Sequence, residues 1–243
     1  MGKVFAITSG KGGVGKSTVS IGLAAAFCNL DKKVLLVDMD EGLRCLDLML
    51  GIDKQAVFDL SDILMGKEIE DALYTCEIAT GLYLIPAPVN VGQIDAFSFS
   101  GFAKTASEMF DVVIFDFPAG INLSLYTCLP EGTLFLTVAV PDPVSVRDAA
   151  AISNALAKHS LAARLIINRF IYKQSRKTKS KNIDGIIDSS YLRLLGLVPE
   201  SEELALLSLK HKIKRRGKTN AAFLRIARRL LGEHILLPKL KKI

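Results

Sequence analysis

Gly10-Lys11-Gly12-Gly13-Val14-Gly15-Lys16-Ser17 satisfies the pattern G-x-x-x-x-G-K-[ST], and its flanks decide the fold. Before it runs Val4–Thr8, a short apolar segment with β-branched residues that reads as a buried strand. After it, Lys16–Leu30 carries alanine and leucine at helical spacing. A glycine-rich turn between such a strand and such a helix is a phosphate-binding loop. Its backbone curls so that successive N–H groups face phosphate oxygens, and the following helix adds its positive N-terminal end. Lys16 is placed to reach the β- and γ-phosphates of a nucleotide, and the Ser17 hydroxyl to ligate Mg²⁺. The loop thus names ATP and Mg²⁺ as the expected ligand and cofactor.

Outward from the loop, buried strands recur: Lys33–Val37 (KVLLV), Leu82–Ile85, Val112–Phe115, Thr133–Val138, Arg164–Ile167 and a weaker segment at Gly196–Val198. Helical patterns fill the gaps at Leu60–Tyr74, Phe99–Met109, Val144–Lys158, Ile186–Leu195 and Ala221–Leu231. Strands apolar throughout, alternating with amphipathic helices, predict an α/β fold whose mostly parallel sheet has helices on both faces. Ligands of such sheets lie at the carboxyl ends of the strands. Asp38 and Asp40 follow the second strand and Asp116 ends VVIFD, so all three carboxylates fall at that end. Each is placed to hold Mg²⁺ or to orient a water, and each equally suits a turn or helix cap. No repeat or long linker divides the 243 residues. A single domain over 1–232 with a short tail at 233–243 is expected.

Composition narrows the function class. Half the residues are hydrophobic, which excludes a disordered chain, and no apolar run reaches the ~18 residues of a membrane span. The N-terminus lacks the features of a signal peptide, and Cys28, Cys45, Cys76 and Cys128 are widely spaced with no C-x-x-C pair. A cytoplasmic chain with reduced, buried cysteines is expected, and an iron–sulfur carrier is not. Residues 1–169 hold 13 Lys/Arg against 19 Asp/Glu, whereas residues 170–243 hold 18 against 6. A basic rear half suits a polyanion, either lipid headgroups or nucleic acid; solvated loops would give the same count.

Other stretches carry a resemblance. Lys11 adds a second lysine at the head of KGGVGKS, and with it come VDMDEGLRCLDLMLG (37–51), FDFPAG (115–120), PVSVRDAAAI (143–152), INRF (167–170) and GLVPES (196–201). Together these resemble the MinD branch of the MinD/ParA family of deviant Walker A P-loop ATPases, in register from residue 1 to about residue 207 and again over Ala221–Gly232. The resemblance implies a nucleotide-switched homodimer that hydrolyses ATP, associates with the inner face of the cell membrane in its ATP state and positions division-site (septum) regulators. It implies that Lys11 crosses to the partner's nucleotide and that Lys16 and Asp40 serve hydrolysis. Ser17, Asp40 and Asp116 make up its Mg²⁺ shell. Gly10, Lys11, Gly12, Gly13, Val14, Gly15, Lys16, Ser17 and Thr18 hold phosphate in this reading, while Asn168, Arg169 and Pro199 meet the adenine. On its own chemistry Asn168 is equally a strand-end cap. Arg147 and Asp148 open a helix, where Asp148 is at least a dipole partner.

The same resemblance implies a protein regulator of the MinC or MinE type and a membrane-surface helix at the C-terminus. Here the tail Ile235–Ile243 offers five apolar residues and three lysines around Pro238. Apolar residues among lysines favour an anionic bilayer. A ParA-like DNA-associating cargo positioner would need only the lysines of Lys173–Lys181 and Lys210–Lys218. A third reading, a nucleotide-binding scaffold with little hydrolysis, follows from Cys45 and Glu41, two of the departures within the motifs. Cys45 replaces the branch's asparagine, Glu41 an apolar residue beside Asp40, and Asn122 a frequent acidic residue; KHKIKRRGK (210–218) replaces a neutral loop.

Overall fold

The structure, a computed structural model, describes residues 1–175, 182–214 and 216–240. Four basic residues of the first basic run (Arg176, Lys177, Lys179 and Lys181), Arg215 of the second, and Lys241–Ile243 of the tail lie outside them.

The first half of the chain places β1 Lys3–Thr8, α1 Lys16–Cys28, β2 Val34–Asp38, α2 Leu46–Leu50, α3 Leu60–Leu64, β3 Tyr74–Thr75, β4 Leu82–Ile85, α4 Ala96–Met109 and β5 Val112–Asp116. The second half places α5 Leu123–Tyr126, β6 Leu134–Ala139, α6 Pro143–Lys158, β7 Ala163–Phe170, α7 Tyr172–Ser175, α8 Ile183–Ser190, β8 Leu194–Pro199, α9 Glu202–Ala205, α10 Leu207–Lys210 and α11 Lys218–Leu230. The described residues form one eight-stranded sheet, ordered β3-β4-β2-β5-β1-β6-β7-β8 and parallel except for the β3–β4 edge pair. As the uniformly apolar strands predict, helices cover both faces. Strand alternation divides the core: Phe5, Ile7, Val34, Leu36, Val112 and Ile114 pack beneath α1 and α11. Their neighbours Val4, Ala6, Leu35, Val37, Val113 and Phe115 pack beneath α3, α4 and α5. On that second face Phe99, Phe102, Phe117, Tyr126 and Phe135 extend from Phe115 in a chain of tilted and edge-to-face rings, the arrangement that ring quadrupoles favour.

Two expected helices are corrected. The pattern at Leu60–Tyr74 predicts one helix, but α3 stops at Leu64 and a 3₁₀ turn at Ile69–Ala72 leads into β3, which adds an antiparallel edge strand. Gly66, at φ 108°, breaks the helix, since only glycine enters that region without strain. The helix read at Ile186–Leu195 runs instead from Ile183 to Ser190. Tyr191 at φ 57° ends it, and Leu194 and Leu195 belong to β8. The other expected strands and helices stand within a few residues of their predicted ends.

Packing of α1 on α11 requires the absence of a side chain at Gly22: a Cβ there would meet the Phe223 ring at 2.3 Å. Gly22→Val should therefore overpack this interface and cost about 1–3 kcal/mol, read as a lowered urea midpoint. An unchanged midpoint would show that Phe223 can move aside freely.

Candidate functional site

Sheet register builds the site. Asp38 and Asp116 are paired positions on adjacent parallel strands β2 and β5, and Ile7 of β1 is paired with Asp116. Both carboxyl groups are buried at the strand ends, next to the loop that leaves β1. Asp38 accepts hydrogen bonds from the Asp40 amide (3.0 Å) and the Leu46 amide (3.0 Å). Asp116 accepts from the Ser20 hydroxyl at 2.9 Å. Burial, followed by the charge of Asp116, pushes Asp38 up to about 7. Burial likewise pushes Asp116 up to about 6, opposed by Ser17, Ser20 and Lys16. Asp40 is half-buried and also raised by desolvation, with Lys16 acting against it.

The loop itself is an open cradle. Gly13 (φ 75°) and Gly15 (φ 87°) take the left-handed conformation that curls the backbone, and among the described residues nothing beyond the chain neighbours lies within 4 Å of where a Cβ would stand on Gly12 or Gly13. Gly10 is required for a different reason, since its Cβ would strike Asp148 at 2.6 Å. Val14 is buried and anchors the loop from below. Gly15 caps α1 without a side-chain hydrogen bond, and the first turn of α1 carries no acidic residue. The start of this 13-residue helix therefore carries no acidic side chain of its own, and the carboxylate beside it is that of Asp116, which reaches Ser17 and Ser20 from β5. Lys16, Ser17 and Thr18 form the first turn. The Ser17 hydroxyl faces the Cys45 sulfur at 3.8 Å, and burial pushes that thiol up to about 11.

Lys11 turns outward to the rim: its ammonium is 3.4 Å from Asp142, with 46% of the side chain exposed. Asp142 also caps α6 by accepting from the Ser145 amide. Asp142 was not read from sequence, although Asp-Pro-x-Ser at a helix start is a recognisable cap signature. Arg147 and Asp148, expected to open α6, lie in its second turn.

Beyond the loop, Gly15, Thr18, Asn168, Arg169 and Pro199 line one small cavity, so the sequence-predicted adenine residues do come together. Asn168 donates to the Val14 carbonyl (2.8 Å), and its Oδ1 is buried without a partner among the described residues. An orphaned acceptor there suits a donor such as an exocyclic amine. Arg169 stands at φ 53°, where β7 and β8 lose register. The Mg²⁺ reading fits one limit: among the described residues no three His, Cys, Asp or Glu side chains form a metal cluster by themselves. The Ser17 hydroxyl and the buried Asp116 carboxylate are oxygen donors of the kind Mg²⁺ takes. Asn122, one of the departures from the motif, caps α5 by accepting from the Leu125 amide at 3.3 Å.

The second basic run is outward-facing: Lys210, Lys212, Lys214 and Arg216 are exposed, whereas His211 and Ile213 turn inward. His211 bonds the Met49 carbonyl at 3.0 Å, joining this loop to α2. The described part of the tail, residues 233–240, differs from an amphipathic helix. Residues 233–239 are irregular, Arg229 holds the Ile235 carbonyl at 2.7 Å, and Leu240 packs against the cluster around α8. Among the described residues no helix is long and apolar enough to cross a membrane.

A glycine cradle at a helix N-terminus, a Lys-Ser pair and buried strand-end carboxylates define a P-loop nucleotide-binding protein with a second, rim-facing lysine. Comparison with known proteins agrees. Residues 5–214 match the family described as "CobQ/CobB/MinD/ParA nucleotide binding domain". A Synechocystis protein described as septum site-determining protein MinD is 32% identical over 97% of this chain and 91% of its own. The Aquifex aeolicus MinC:MinD cell division protein complex superposes with a TM-score of 0.88 at 30% identity, covering 98% of this chain and 99% of that one. MinD of Pyrococcus horikoshii, complexed with Mg-ADP, gives 0.80 at 27% identity over 95% and 96% of the two chains. The chain belongs to the MinD/ParA family of nucleotide-binding proteins, in its MinD branch, and is an ATPase.

The burial of Asp38 gives a testable pH dependence. Below its ordinary value of 3.8 the carboxyl is protonated in folded and unfolded chains alike. Between 3.8 and about 7 the unfolded chain ionises first, so this group's contribution to stability falls as pH rises. In nucleotide-free protein, the urea midpoint of Asp38→Asn should gain on the wild type between pH 5 and pH 8. A pH-independent difference would place the Asp38 charge in a solvated setting.

Proposed function

We propose that the chain is an ATP-driven spatial switch of the MinD type. Two copies pair around bound ATP, the pair engages an anionic membrane surface and a division-site regulator of the MinC or MinE type, and hydrolysis releases both. The observation that carries the reading is Lys11, a loop lysine held at the rim by an exposed contact to Asp142. Exposed pairs of this kind are worth little, so the lysine is free to leave for the phosphates of a facing subunit.

In this reading the Gly10–Thr18 backbone and Lys16 hold the triphosphate of the substrate. Ser17, Asp116 and Asp40 would hold Mg²⁺, which would supply neutralisation of phosphate charge. Asp40 orients a water in line with the γ-phosphorus. That water's oxygen forms the new P–O bond while the bond to the ADP oxygen breaks, giving ADP, phosphate and a proton. Lys11 of the facing copy stabilises the charge that gathers on the leaving oxygens, the role an arginine finger fills elsewhere. Asn168, Arg169 and Pro199 enclose the adenine. Lys11→Ala should bind ATP normally yet fail to dimerise in light scattering with ATP, and lose turnover. A variant that dimerises and hydrolyses as the wild type does would reduce Lys11 to a loop residue.

The tail is the proposed membrane contact. Leu236 is 75% exposed and Leu237 is also exposed, next to the exposed Lys239, which suits an interfacial site on anionic lipid. One such tail binds marginally; pairing places two on one particle and raises avidity ~10²-fold or more. Wild type should co-sediment with anionic vesicles in ATP and stay in solution in ADP, and deletion of Ile235–Ile243 should abolish pelleting without changing ATP affinity. Pelleting by the truncated protein refutes the tail's role, and retention of DNA alone in a parallel shift assay favours the ParA-like reading.

A further inference from the structure

Glu41, the residue after Asp40, makes a contact that the assigned roles leave unused. One carboxylate oxygen accepts hydrogen bonds from two successive backbone amides, Gln93 at 2.7 Å and Ile94 at 2.9 Å. Successive N–H groups aimed at one anion form a nest. This nest stands directly before Asp95, the N-cap of the 14-residue helix α4, whose positive end adds to it. Beside it the Gly42 amide donates to the Pro88 carbonyl at 3.0 Å. The Asp40 loop is therefore fastened across to residues 88–94 by three hydrogen bonds.

Asp40 needs such fastening. Among the described residues no hydrogen bond reaches its carboxylate; what is fixed is its backbone. Its amide donates to Asp38, and its carbonyl accepts from Leu43 at 3.2 Å and Arg44 at 3.0 Å. These contacts all lie within residues 38–44, so they shape the loop without tying it to the rest of the molecule. Long-range ties sit one residue away on both sides: the Met39 amide donates to the Asp116 carbonyl at 3.0 Å, and Glu41 accepts from the Gln93 and Ile94 amides.

We propose that Glu41 is a positioning residue for ATP hydrolysis, holding the Asp40 carboxylate in place through the amide nest of Gln93 and Ile94. This rests on the reading of Asp40 as the group that orients water. A carboxylate in a nest forms charge-assisted bonds, about twice as strong as neutral ones. Glutamine keeps an acceptor oxygen at the same reach, whereas aspartate keeps the charge but falls one methylene short.

The test compares Glu41→Leu, Glu41→Asp, Glu41→Gln and Asp40→Ala in steady-state ATP hydrolysis, with amide hydrogen exchange at Gln93 and Ile94. Glu41→Leu and Glu41→Asp should each lower kcat about tenfold with KM for ATP within about twofold, the signature of misplacement in the transition state alone. Glu41→Gln should recover most of the turnover. The two amides should exchange faster in the leucine and aspartate variants but not in Asp40→Ala. If Glu41→Leu does not fold, Glu41→Asp decides alone. Wild-type kcat in the Glu41 variants while Asp40→Ala is impaired overturns the inference, as do unchanged amide exchange or a raised KM in place of a lowered kcat. Wild-type kcat in Asp40→Ala instead removes the Asp40 reading beneath it, while the exchange data still report on the Glu41 contact itself.

Discussion

Parallel pairing of β2 with β5 sets Asp38 beside Asp116 at matched register, with both carboxyl groups buried. Two like charges so close and so dry cannot both ionise without help. The surroundings are arranged around that difficulty. Two backbone amides serve Asp38 and a serine hydroxyl serves Asp116, while Lys16 approaches from the loop. Even so, both groups stay well above the ordinary carboxylate range. A divalent cation beside them would favour their ionised forms, so the fold stores a demand for positive charge at the place where a cation bound to substrate phosphates would stand.

That demand reaches beyond the site through hydrogen bonds. Asp38 accepts from Leu46, the first residue of α2, so a change of charge at the strand end acts on that helix. The Met49 carbonyl on the same helix is bonded by His211, which lies between the outward-facing Lys210 and Lys212. On its other flank the Asp40 loop is tied to residues 88–94, where Val89 and Val91 are exposed. Two surfaces, one basic and one apolar, are thus each one hydrogen-bonded segment away from the strand end that carries Asp38. Coupling by such contacts needs an element with two arrangements; the 40–51 segment, fastened on both flanks, is placed to be that element.

Much of this was legible in the sequence because backbone geometry leaves few alternatives. The glycines of the loop are demanded by positive φ at 13 and 15 and by the approach of Asp148 at 10. KVLLV and VVIFD are strands because they are apolar on both faces, and their terminal aspartates then fall at the ligand end of any parallel sheet. Leu60–Tyr74 misled because its apolar spacing continues across Gly66, and the edge pairing of β3 outweighs helical propensity there. Asp142 beside Lys11, Ser20 beside Asp116 and Glu41 in its nest were not legible as site residues. Each contact joins segments 52 to 131 positions apart, and no local pattern encodes it.

The departures from the branch's motifs are absorbed by local structure. Asn122 caps α5 with its own side chain, so the missing acidic residue leaves no unsatisfied helix end. Cys45 is the sharper case, since its sulfur faces Ser17. A thiolate in that position would offer Mg²⁺ a soft ligand that this hard cation disfavours. Burial, helped by the nearby Asp38 charge, keeps the thiol protonated across the physiological range. It is therefore a neutral, weakly polar neighbour of the Ser17 hydroxyl. Replacing an amide by a protonated thiol removes hydrogen-bonding capacity from the 40–51 segment while adding no charge beside Ser17.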